Sequence, residues 1–116
     1  MAELHPSLGG ASAWDEQRAQ SLLGKHVLVG ITYLEADGQT VAAQVQLHGT
    51  VVSVDQKNGI EISRRGLNEG EPFWLPPATG PFEDASPGEY NLHSTGEILV
   101  NPDIISTWTV TRSKTK

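Results

Sequence analysis

The sequence predicts a mainly β fold: a small barrel of about five antiparallel strands with one short helix in front of it. Three observations carry that reading. From Lys25 onward apolar residues recur at every second position rather than at helical spacing. The alternating runs are punctuated by Asp37-Gly38 and Asn58-Gly59, dipeptides that close tight hairpins because their residues tolerate positive φ. At 116 residues without an internal repeat, the chain has the size of one domain and can bury roughly two-thirds of its unfolded surface.

Residues 1 to 12 are rich in Gly, Ser, Ala and Pro and lack periodic apolar positions, so they are expected to be a flexible arm, with 113 to 116 a tail. The single domain spans 13 to 112. Ser12 is the expected N-cap, with Asp15 three positions on; helix formers follow and Gly24 stops the run. The pattern predicts a helix over 13 to 23, with Trp14, Leu22 and the aliphatic stem of Arg18 turned inward. "KHVLVGITYLE" then sets Val27, Val29, Ile31 and Tyr33 on one strand face, and His26, Leu28, Gly30, Thr32 and Leu34 on the other. After the Asp37-Gly38 turn, "QTVAAQVQLHGTVVSVD" forms a long second strand. Gly49 marks a bend or bulge that lets this strand serve two sides of a barrel. "IEISR" returns as the third strand.

"PFWLPP" is a short fourth strand, placed at an edge because proline has no N–H to give an interior ladder. Phe73 and Leu75 face one way and Trp74 the other. Prolines 76, 77, 81 and 87 exclude a helix, and 76 to 89 reads as a stiff, acidic, proline-rich insertion over one barrel mouth. "EYNLHSTGEILV" holds two short strands around Thr95-Gly96. "IISTWTV" closes the set with Ile104, Ser106, Trp108 and Val110 on one face.

Composition excludes several functions. With no cysteine there are no disulfides, thiol nucleophiles or cysteine zinc sites, and a reducing, cytoplasmic setting fits. The start lacks a basic region followed by an apolar one, and no apolar run approaches 18 residues, so a soluble protein without a membrane span is expected. Net charge is -6, and between Gly66 and Thr111 seven acids stand without one lysine or arginine. Such a surface repels duplex nucleic acid and anionic membranes, and a protein partner is the expected one.

The stretch "LLGKHVLVGITYLE...VQLHGTVVSVDQKNGIEI", residues 22 to 62, resembles an Sm-like or SH3-like barrel: an N-terminal helix, a G-K-x-V-x-V entry, a glycine-bent second strand ending in Asp, an Asn turn and a third strand. The Sm-like resemblance implies an RNA-binding loop at Asp55 and Asn58, which Arg64 and Arg65 would support. That is the alternative to the protein-binding reading.

No residue pattern points to catalysis. His5, His26, His48 and His93 are scattered singly, without the spacing of metal ligands, and no G-x-S-x-G elbow places a nucleophile. The expectation is therefore a non-enzymatic binding module with no catalytic residue, metal or cofactor. Its candidate partner surface is Trp74, Glu83, Asp84, Glu89 and Tyr90, an exposed aromatic among prolines and acids of the kind that peptide-binding barrels use. A small-ligand pocket beneath Trp74 and Tyr90 is a further alternative.

Overall fold

The computed structural model describes residues 2–6, as backbone, and residues 14–112. In chain order these form β1 (Ala2–Pro6), α1 (Glu16–Leu22), β2 (His26–Leu34), β3 (Val41–Asp55), β4 (Gly59–Arg64), β5 (Pro72–Leu75), β6 (Phe82–Asp84), β7 (Glu89–Asn91), β8 (Ile98–Val100) and β9 (Ile104–Arg112). The fold is mainly β with one short helix, as the period-two pattern predicts. Its strands exceed the expected five: the main sheet has seven, ordered β1-β9-β2-β3-β4-β5 with β6 also on β9, and β7 and β8 form a second small sheet.

The sheet is not wholly antiparallel. β9 runs parallel to β2, from Val27 opposite Ile104 to Leu34 opposite Thr111. Alternation cannot reveal this, because it fixes which face a residue occupies and not which strand lies beside it. On its other side β9 is covered in two pieces, by β6 at Ile104–Ser106 and by β1 at Trp108–Arg112. So Ala2–Pro6, within the stretch expected as a free arm, is a paired strand, while residues 7–13 lie outside the described residues. The proline-rich stretch 76 to 89 likewise contains a strand, β6, and is not loop throughout.

The hairpins follow their turn chemistry. The Asp37 carboxylate accepts the N–H groups of Gln39 and Thr40 and the Thr40 hydroxyl, while Gly38 takes φ 74°. Gly49 lies where β3 passes from β2 to β4; a Cβ there would sit 2.2 Å from the Ser63 carbonyl oxygen, so only glycine permits the approach. A bulge follows between Val51 and Ser53, turning Val52 outward. The meander curls around one core, in which Leu22, Val27, Val29, Ile60, Ile62, Leu75 and Trp108 are fully enclosed.

The helix is shorter than expected. Its N-cap is Asp15, whose carboxylate accepts the Arg18 N–H, rather than Ser12. Ala19 and Leu22 face the core and Trp14 packs against it from just before the helix. Arg18 reaches over the rim to the Phe82 carbonyl and to Asp84, fastening α1 to β6.

Candidate functional site

On β5 the alternation places Phe73 and Leu75 against the core and turns Trp74 out, where it is 46% exposed. Trp74 stands opposite Glu61 of β4, whose carboxylate accepts a hydrogen bond from the Ser53 hydroxyl at 3.2 Å. Val52, 48% exposed, shares this outer face. β5 pairs only with β4, so among the described residues its far edge has no strand beside it.

The other candidate surface residues lie elsewhere. Tyr90 packs with Leu92 and Leu99 on Leu28 and Ile105, making a second apolar cluster on the outer face of β2 and β9. Its hydroxyl donates to the Ser86 carbonyl at 2.6 Å. Three strand spacings separate β2 from β5, about 14 Å, so Trp74 and Tyr90 do not line one pocket. Glu83 and Asp84 are exposed on β6, and Asp84 is tied to Arg18 at 3.2 Å. Glu89 is exposed on β7 beside Val100 of β8. Glu83 stands opposite Ile105, which packs on the same cluster as Tyr90, so of the expected surface it is Trp74 that lies apart.

The proposed RNA loop is also divided. Asp55 accepts the N–H groups of Lys57 and Asn58, and the Asn58 amide donates to its second oxygen, so both side chains close the β3–β4 turn. These bonds hold the Asp55 carboxyl below its ordinary value. Arg64 and Arg65 lie at the other end of β4, about 20 Å of strand away.

Sequence reasoning missed two features. The first is a line of three titratable side chains on the outer face: His26 Nε2 lies 2.9 Å from His48 Nδ1, and His48 Nε2 lies 3.1 Å from Glu97 Oε2. The register of the β2–β3 hairpin produces it, because Leu28 opposite His48 makes His26 the diagonal neighbour. A hairpin centred on Asp37-Gly38 already puts both histidines on the outward set of positions, which was the available signal. Gly66 closes the site: with φ 74°, any Cβ there would lie 2.0 Å from Glu97 Oε2.

The second is a shallow cavity of about 170 Å³ on the same outer face, lined by Gly30, Thr32, Gln44, His93, Ser94 and Thr107 among others. Gly30 opens its floor, since nothing lies within 4 Å of where a Cβ would be. Gln46 clips the turn at its rim: its side chain accepts the His93 N–H and its backbone N–H donates to the Ser94 hydroxyl. Neither Trp74 nor Tyr90 belongs to this lining. No three or more histidine or carboxylate side chains among the described residues are arranged so that they could hold a metal ion.

No family model, curated protein or solved structure matches the chain.

Proposed function

We propose that this protein is a non-enzymatic binding module that takes an extended, basic segment of another protein along β5, with Trp74 as the anchor. The observation that carries the reading is the half-exposed indole of Trp74 on a strand whose outer edge has no partner among the described residues. An exposed edge offers backbone N–H and C=O groups to an added strand, and the alternate side chains of that strand meet whatever the sheet face presents. Here the face presents Trp74, Val52 and the Glu61 carboxylate, with Glu71 next to the start of β5. Lysine or arginine on the incoming segment complements these acids and can stack on the indole. The curled meander supports relating the chain to small SH3-like barrels, whose exposed aromatics serve similar ends.

The test uses synthetic extended peptides in which lysine or arginine alternates with apolar residues, added to the labelled protein and followed by NMR. Binding is expected to move the amide signals of residues 72–75 and the Trp74 indole N–H, and Trp74→Ala is expected to weaken it at least tenfold. Peptides that bind without moving β5, or that bind the Trp74→Ala variant equally well, would show that this edge is not the contact.

A further inference from the structure

His48 is 7% exposed and is hydrogen-bonded at both ring nitrogens. An ionised carboxylate only accepts, so with Glu97 charged the hydrogen between them belongs to His48 Nε2. In neutral His48 the other nitrogen, Nδ1, is then a bare acceptor, and His26 Nε2 must supply the hydrogen on that side. Every bond in the line has one direction. The ring centroids stand 5.1 Å apart. That is close to the nitrogen–nitrogen distance plus the radius of each ring, so the nitrogens meet head-on around a shared hydrogen and do not converge on a third point as metal ligands do.

The surroundings decide where an added proton rests. His26 is only partly buried, and no hydrogen bond among the described residues occupies its Nδ1. It faces Arg65 from the end of β4 and Asp103 from the start of β9; Asp103 accepts its backbone N–H at 2.9 Å. Burial, then Arg65 and His48, disfavours a charge on His26, with Asp103 opposing. Glu97 faces His48, Thr95 and Arg64; the His48 bond chiefly holds its carboxyl below the ordinary value, so the anion persists as His48's partner. The favourable place for a positive charge is His48, against that anion, although His48 itself has little access to water.

We infer that His26 is the port through which the enclosed His48 is protonated, the three side chains acting as a proton-operated clamp on the β7–β8 hairpin. A proton adds at His26 Nδ1, the hydrogen on His26 Nε2 passes to His48 Nδ1, and His26 is left neutral with its tautomer reversed. His48 becomes an imidazolium that donates to His26 Nε2 at one nitrogen and to Glu97 at the other. One proton is thus taken up with both bonds kept. A second proton, on His26, would set two N–H groups against each other across 2.9 Å and break the contact between the rings. Because Glu97 begins the β8 side of the hairpin, the charged pair holds the hairpin to β3 more firmly in mild acid than at neutral pH.

Nitrogen-detected NMR of the histidine rings, followed against pH, tests this. At neutral pH both rings should carry hydrogen on Nε2; on the first protonation step His48 should show hydrogen on both nitrogens while His26 moves its single hydrogen to Nδ1. In Glu97→Gln, which keeps the shape and removes the anion, the charge should appear on His26 instead. In His26→Gln the protonation of His48 should lose its coupling to a second ring and hydrogen exchange at His48 Nδ1 should slow at least tenfold. A His26 that keeps its hydrogen on Nε2 throughout, or that becomes the charged ring in the unaltered protein, overturns the proposal. So does a His48 titration left unmoved by Glu97→Gln in a variant whose backbone spectrum is otherwise preserved.

Discussion

The indole N–H of Trp108 donates to the hydroxyl of Ser106 at 2.7 Å, and both side chains are completely enclosed in the core. The two residues sit on the same inward face of β9, so the strand supplies the acceptor that its own tryptophan needs. Ser106→Ala removes that acceptor and leaves a buried donor unpaired, which costs about 1–3 kcal/mol. The expected result is a Tm lower by roughly 4–8 °C per kcal/mol lost, read by thermal unfolding. Ser106→Thr, which keeps the hydroxyl, should recover part of the loss.

Gly59 and Gly70 both take positive φ but differ in what surrounds them. A Cβ at Gly59 would lie 2.0 Å from the Leu75 carbonyl oxygen, whereas at Gly70 nothing is within 4 Å. Gly70→Ala should lose only about 1–2 kcal/mol, the left-handed backbone penalty. Gly59→Ala should lose clearly more, because β4 and β5 must also separate. Equal denaturation midpoints for the two variants would refute the close approach.

The acid limb of stability has a defined direction. Hydrogen bonds from Thr40 and Gln39 lower the Asp37 carboxyl from 3.8 to about 2. Glu97, Asp55 and Glu16 are lowered as well, and each such carboxylate contributes stability above its unfolded value that is lost as pH falls through the folded one. Burial lowers His26 below 6.5, so the folded state prefers its neutral form, and that contribution too is lost on acidification. Denaturant midpoints should fall on acidification once His26 itself takes the charge, and faster below about pH 4.5 as the carboxylates are protonated. Asp37→Ala should flatten the profile between pH 3.8 and 2.

Arg18 and Asp84 join α1 to β6, yet the Asp84 carboxylate is mostly in water. Exposed pairs contribute about 1 kcal/mol or less. A double-mutant cycle of Arg18→Ala with Asp84→Ala should therefore show a coupling below about 1 kcal/mol, reduced further in salt. Arg18→Ala alone should be the worse single change, since it also abandons the Phe82 carbonyl.

Local chemistry made much of this molecule readable from its residues. The β2–β3–β4 meander, the edge position of Pro72–Leu75 and the inward set Ile104, Ser106, Trp108 and Val110 all follow from period-two alternation, turn dipeptides and proline's missing donor. What escaped was relational. A three-residue strand such as β6 is too short to show a period, and Asp15 displaced Ser12 as the cap because either can accept the N–H of the first turn. His26, His48 and Glu97 look isolated in sequence, and they meet only when β2 pairs with β3 and a distant hairpin folds over both. The same holds for the candidate surface, in which Trp74 and Tyr90 are close along the chain and lie three strands apart on the sheet.

The parallel pairing of β2 with β9 has a consequence for how the protein is made. His26 and Asp103, bonded where the two strands begin, are 77 positions apart. During translation at roughly 5–20 residues per second, the meander leaves the ribosome seconds before the strand that must lie against it. Throughout that interval β2 presents an unsatisfied edge to solvent or to another nascent chain. Shortening the dwell, or shielding that edge with a chaperone, should raise the yield of folded protein.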